Sequence, residues 1–160
     1  MYLLDANVFI QAKNLYYGFD FCPAFRSWLE DAHLAERVYS VRGVGDELLA
    51  GVDALAMWAQ ARPETFFLQP DRATLPSLRA TSQWAIGAGY EQTAVSTFLQ
   101  VGDYYLVSQA LALDFTVVTH EIAGNSRKKI KIPDACIGLG VRHMSPFQML
   151  RAERARFVLG

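Results

Sequence analysis

Four carboxylates occupy positions from which an α/β sheet can present them together. Asp5 ends Tyr2-Leu3-Leu4 and precedes Ala6-Asn7, and Glu47 follows Gly45-Asp46. Asp103 opens Asp103-Tyr104-Tyr105-Leu106-Val107, and Glu121 closes Val117-Val118-Thr119-His120-Glu121. Two ionised carboxylates about 5 Å apart repel by about 3 kcal/mol at an effective dielectric near 20. Such a cluster stays ionised only with cations among its members. An all-oxygen, water-keeping donor set suits Mg²⁺ or Mn²⁺, not Zn²⁺. Ions of that kind activate water, orient a phosphodiester and neutralise a leaving oxygen. Metal-assisted hydrolysis is therefore the chemistry on offer.

Each acid also has a simpler structural account. Asp5 can cap the helix that follows it. Glu47, read as lying in the first turn of a helix, can answer the helix dipole. It falls roughly 100° from the centre of the apolar face set by Val44, Leu48, Val52, Leu55 and Ala59, whereas Asp46 falls roughly 160° away and reads as solvated. Asp103 shares a face with Leu106, Val107 and Ala110, so its carboxylate needs a cap role, a partner or a metal. His120-Glu121 begins a zinc-protease signature, but Gly124 stands where the second histidine is required. His120 then reads as a loop or supporting residue, and His33 and His143 as structural or surface. For the fourth acid, Asp134 competes with Glu121, because Pro133 suits a loop leading into a helix that Asp134 could cap.

A basic run, Arg127-Lys128-Lys129-Ile130-Lys131, places four cations in five residues and holds three of the four lysines. Following Glu121, it would lie beside the acids. It reads either as a phosphate-contacting segment or as a solvated loop. Tyr90, Tyr104 and Tyr105 could stack on bases or pack inside. Arg151, Arg154 and Arg156 fall on a last helix and read as solubilising or partner-binding residues.

The elements that must position these residues alternate. Short strands are expected at Tyr2–Leu4, Val38–Val41, Thr65–Gln69, Phe115–Thr119 and Gly140–Met144. Helices are expected from Pro23 to about Glu36, Gly45 to about Ala61, Asp71 to about Ile86, Glu91–Gln100, Asp103–Leu113 and Pro146–Arg156, with residues 124–134 a loop. That alternation specifies α/β: a doubly wound, three-layer α/β/α domain around a central parallel sheet. Ligands in such sheets sit beyond the C-terminal strand ends, where the strand order reverses. At 160 residues and 52% hydrophobic, with 19% charged and 12% aromatic residues, the chain forms one domain, residues 1–160, with its own core. The composition excludes disorder, and no apolar run reaches the roughly 18 residues that span a bilayer. The first residues lack a basic n-region, so no signal peptide and no membrane partner are expected. Cys22 and Cys136 stand far apart with no CxxC spacing, which favours the cytoplasm. A net charge of −1 confines any nucleic-acid contact to local patches.

With the four acids in that order and at that spacing, the chain resembles a PIN domain, the metal-dependent nuclease fold of VapC-type toxins and related RNases. It is most similar to a PIN-like bacterial branch with a Val-Thr-His-Glu segment and a Lys-Ile-Pro-Asp segment, here Lys131-Ile132-Pro133-Asp134. No one motif is specific; the ordered set is, and it covers nearly the whole chain. Two positions depart from the family pattern: Glu121 where Asp is commoner, and Asn7 where a small hydroxyl is frequent. The resemblance implies hydrolysis of single-stranded RNA by a metal-activated water, with Mg²⁺ or Mn²⁺ as cofactor. Asp5, Glu47, Asp103 and Glu121 would be the catalytic and metal-holding residues, and Asn7, Thr119 and Asp134 supporting ones. Arg127, Lys128, Lys129 and Lys131 would contact RNA. It further implies a bacterial toxin with a cognate antitoxin protein, and it admits a homodimer. The competing reading is a catalytically silent PIN-like module that binds RNA or a partner protein. A haloacid-dehalogenase-type phosphotransferase needs Asp-x-Asp, and position 7 is Asn.

Overall fold

The computed structural model describes residues 1–18 and 20–158. Five strands, β1 (Tyr2–Leu4), β2 (Val38–Val41), β3 (Phe67–Leu68), β4 (Thr116–Val118) and β5 (His143–Met144), form an all-parallel sheet in the order β3-β2-β1-β4-β5. Leu3, Leu4, Val38, Val41, Val117 and Val118 expose nothing to solvent, as parallel strands covered on both faces must. The covering layers, among the described residues, are α1 (Ala6–Gln11), α2 (Pro23–Leu34), α3 (Arg42–Leu49), α4 (Ala54–Gln60), α5 (Leu75–Gly87), α6 (Gln92–Gln100), α7 (Gly102–Leu113), α8 (Ile132–Leu139) and α9 (Pro146–Ala152). The architecture is the three-layer α/β/α sandwich that the alternation predicts. None of the described helices is long and apolar enough to cross a membrane.

The connections define where a site can lie. From β1 the chain winds outward through β2 and β3, then returns to β4 on the other side of β1. The strand order therefore reverses between β1 and β4, which opens a crevice at their C-terminal ends. Leu4 pairs with Val118, and the Asp5 N–H donates to the Val118 carbonyl at 3.0 Å. Asp5 and Thr119 thus leave the sheet at one height, on either side of the crevice.

Several elements differ from the sequence expectation. The helix expected from Gly45 to Ala61 is two. The chain breaks after Leu49, and Asp53 starts α4 by accepting from the Leu55 and Ala56 N–H groups at 3.1 and 3.0 Å. Val52, placed on the apolar face by periodicity, lies in the break and is fully exposed. Helix α8 begins at Ile132, inside the expected loop, with Pro133 in its first turn, where a missing N–H costs nothing. Gly140 does not begin a strand; it ends α8 in the left-handed region (φ 70), as glycine after a helix commonly does. The last helix stops at Ala152, so Arg154 and Arg156 lie beyond it. Helix α1 runs on into a π-helical segment, Ala12–Tyr16, which hydrophobic spacing gives no means of reading.

Candidate active site

Asp5 occupies the N-cap position of α1, yet its carboxylate makes no capping hydrogen bond. Its Oδ2 instead accepts from the Thr119 hydroxyl at 2.9 Å. The Thr119 oxygen in turn accepts from Asn7 Nδ2 at 3.2 Å and from the Glu121 N–H at 3.1 Å, which satisfies the hydroxyl completely. Asn7 Oδ1 accepts from the His120 N–H at 3.1 Å. This chain of hydrogen bonds ties the first turn of α1 to the segment leaving β4 and fixes the Asp5 carboxylate, which is only 5% exposed. Its pKa is pushed up to about 7, first by burial and then by the neighbouring Asp103 carboxylate, with Glu121 adding to the effect and the Thr119 hydrogen bond opposing it.

Asp103 lies in the first turn of α7 and is half-buried. Burial raises its pKa to about 6, reinforced by Glu121 and Glu47 and opposed by Lys129. Asp5, Asp103, Glu121 and Glu47 thus share one electrostatic neighbourhood although they come from four separate segments. Glu47 is not in a first turn, because α3 begins at Arg42. The dipole account of Glu47 therefore fails; it is an exposed acid one turn further along. Asp46 faces solvent and pairs with Arg42 at 2.8 Å.

A contact that the sequence analysis did not single out holds Glu47 beside Asp103. Helices α3 and α7 cross at Gly43 and Gly102 so closely that a Cβ on Gly43 would stand 3.1 Å from the Gly102 Cα. At position 43 glycine serves close approach, not an unusual φ. Two glycines near helix starts could have hinted at it, but nothing in one sequence pairs them. Glu47 and Asp103 line a cavity of about 340 Å³ together with Gly102, Thr97, Lys128 and Lys129.

Glu121 and Asp134 have different surroundings. Glu121 Oε2 accepts from the Ile132 N–H at 2.8 Å, and Oε1 lies 3.3 Å from Lys129 Nζ. Asp134 accepts from the Gly124 and Lys131 N–H groups at 2.9 and 3.3 Å, latching the loop to the start of α8. Within the basic run, Arg127 and Lys128 are exposed, Lys129 pairs with Glu121, and Lys131 Nζ donates to the Ile122 carbonyl at 3.1 Å. The Tyr104 hydroxyl donates to the Leu78 carbonyl at 2.9 Å, and Tyr90 packs edge-on against Trp84, so both belong to the packing. Tyr105 is exposed. His33 is a packing residue whose ring nitrogens meet the Val38 carbonyl and the Thr65 hydroxyl.

The family described as "Domain of unknown function (DUF4411)" matches residues 2–157. The chain belongs to the DUF4411 family. No curated protein and no solved structure matches it. The DUF4411 match takes in all four acids, the hydrogen-bonded Asn7–Thr119 pair and the whole basic run.

The donor set fits a hard, partly hydrated divalent ion better than a closed protein cage. Mg²⁺ commonly takes one or two carboxylates and keeps several waters, and Asp5 and Asp103 could supply that pair. Among the described residues, no three His, Cys, Asp or Glu side chains converge as a full cage requires.

Proposed function

We propose that this chain is a metal-dependent ribonuclease of the PIN type, cleaving phosphodiester bonds of single-stranded RNA, and the toxin of a bacterial toxin–antitoxin pair. The observation that carries the reading is the buried Asp5 carboxylate, held by Thr119 at the point where the strand order reverses and set beside Asp103; burial and neighbouring carboxylates push the two up to about 7 and about 6. A fold that only needed caps or surface charge would have no reason to bury a carboxylate and set others against it. The same arrangement is what a divalent cation relieves.

Asp5 and Asp103 would hold Mg²⁺ or Mn²⁺, with Glu47 and Glu121 adding negative charge around it. Bound there, the ion supplies Lewis acidity and a water of lowered pKa. The protein's own part is orientation. Thr119 and Asn7 lock the Asp5 carboxylate, and the Ile132 N–H and Lys129 fix Glu121. Lys128 and Lys129, which line the cavity together with Glu47 and Asp103, would meet the phosphate; Arg127 and Lys131 extend the basic edge of the same loop. Asp134 supports that loop and not the reaction. A chain with net charge −1 then gains its RNA affinity from these local cations.

A second reading, a silent module that binds RNA or a partner protein without cutting, draws on one observation: both Glu121 oxygens are already engaged by the chain itself. One assay separates the two. Single-stranded RNA incubated with the wild type and Mn²⁺ should be cleaved. Excess EDTA or Asp103→Asn should abolish cleavage while leaving circular dichroism unchanged. Cleavage in EDTA, or undiminished cleavage by Asp103→Asn, overturns the metal-nuclease reading; RNA binding with no cleavage under any divalent ion establishes the second.

A further inference from the structure

Three aromatic rings lie at the same rim as the acids and take no part in holding them. His120 directly follows Thr119, and its N–H is bound to Asn7. Its ring stacks on Tyr16 at 5.3 Å and 23°, and Phe147, just inside α9, meets both rings edge-on, at 5.1 Å from Tyr16 and 5.7 Å from His120. Tyr16 remains 41% exposed, so the group is not closed core. It is brought there by the π-helical segment Ala12–Tyr16. A π-turn interrupts the ordinary hydrogen-bond ladder of a helix and recurs at functional sites. Here it sends consecutive side chains to different places: Tyr16 to the rim beside His120, and Tyr17 under Phe25 and Phe157.

Phe147 also borders a hollow of about 200 Å³, lined by Tyr17, Phe147, Leu150, Arg151, Ala155 and Phe157. Its lining is mixed: Phe147, Leu150, Ala155 and Phe157 are apolar, Tyr17 carries a hydroxyl, its one charged member is Arg151, and no acid lines it. Arg151 is exposed and has no acidic partner among the described residues. An aromatic wall, an open ring and one unpaired guanidinium, next to carboxylates that a cation would bring to a phosphodiester, match the two parts of a nucleotide: a flat apolar base and an anion.

We propose that the Tyr16–Phe147 wall and its adjoining hollow form a nucleobase subsite for single-stranded RNA, with Arg151 contacting the phosphate next to the seated base. The proposal rests on the ribonuclease reading for its ligand, but it needs only RNA binding, not cleavage. Stacking accepts any base, so the subsite selects single strands over duplexes and confers little sequence preference. His120 follows β4 and Phe147 follows β5, whereas Lys128 and Lys129 line the cavity with Glu47 of α3 and Asp103 of α7. A bound strand therefore crosses the crevice between them.

The test is fluorescence anisotropy with a labelled ten-nucleotide single-stranded RNA and the full chain in excess EDTA, over a range of salt concentrations. Tyr16→Ala should weaken binding by about five- to 150-fold, the usual cost of losing one base-stacking partner, with an unchanged salt slope. Tyr16→Trp should restore affinity. Arg151→Ala should flatten the slope of log K against log salt by about 0.7. Phe147→Leu, with its melting temperature checked, gives an independent variant on the shared wall. Wild-type affinity and slope in both Tyr16→Ala and Arg151→Ala would overturn the subsite, even if Lys128→Ala weakens binding and leaves the RNA reading standing. A wild type that binds no single-stranded RNA would remove the subsite and the ribonuclease reading together.

Discussion

Asp5 shows how one residue can be placed against its own stability. Its pKa of about 7, against an ordinary 3.8, means that between those values the folded chain holds a proton the unfolded chain has released. Stability is therefore fully present below about pH 4 and is lost as pH rises toward 7, because the unfolded state binds fewer protons in that window. At 1.36 kcal/mol per unit, the loss is on the order of 1–4 kcal/mol. Metal-free wild type should melt at a lower temperature at pH 8 than at pH 5. Asp5→Asn, which still accepts from Thr119, should abolish most of that difference; equal melting curves for the two proteins at pH 8 would refute the assignment. Glu121 and Asp134 separate along the same line. Asp134 holds two backbone N–H groups, so Asp134→Ala should cost about 0.5–2 kcal/mol of stability. Glu121→Gln should instead slow RNA cleavage tenfold or more, on the order of 1.4 kcal/mol in barrier, with a small change in melting temperature. An inactive, fully stable Asp134→Ala beside a normally active Glu121→Gln would reverse the roles.

At the scale of elements, the site depends on how closely α3 can approach α7. A methyl group on Gly43 would meet the Gly102 backbone at 3.1 Å, whereas one on Gly102 would meet Gly43 at 3.5 Å, an ordinary contact. Gly43→Ala should force the helices apart and move Glu47 away from Asp103; Gly102→Ala should be tolerated. Overpacking of this kind typically costs 1–3 kcal/mol, and cleavage should fall with it. Thermal melts and initial rates of the two variants check the asymmetry, and equal behaviour would deny the crossing its role. This contact also marks the limit of what is legible in the sequence. The β1, β2 and β4 segments are readable because buried parallel strands are short β-branched and aliphatic runs; Asp5 and Glu121 stand out because each follows such a strand, and Asp103 because it opens an apolar helix. The break at Val52 is hidden by an apolar periodicity that runs through it, although Asp53 caps α4 locally, and the start of α8 at Ile132 is fixed in part by Glu121 reaching the Ile132 N–H from outside the helix. The π-helical turn and the Tyr16–His120 stack are invisible for the same reason: no periodicity encodes them.

For the whole molecule, the concentration of like charge at one edge of a nearly neutral chain predicts coupling between ion binding and global stability. A ligand that binds only the folded state stabilises by RT ln(1 + [L]/Kd), about 2.7 kcal/mol at one hundred times Kd. For a chain of this length each kcal/mol moves the melting temperature by about 2–4 °C. Saturating Mn²⁺ should therefore raise the melting temperature of the wild type by about 5–11 °C, with a larger rise at pH 8 than at pH 5, where Asp5 and Asp103 compete for protons. Binding of the ion releases those protons, so the pH dependence of the shift reports the carboxylates directly and needs no RNA. Asp5→Asn and Asp103→Asn should each lose most of the shift, while Lys128→Ala should keep it, because that lysine is assigned to the phosphate and not to the ion. Calorimetric scans of the four proteins with and without Mn²⁺ decide the matter. A wild type whose melting temperature ignores the ion at both pH values would leave the buried carboxylates without the cation that accounts for them.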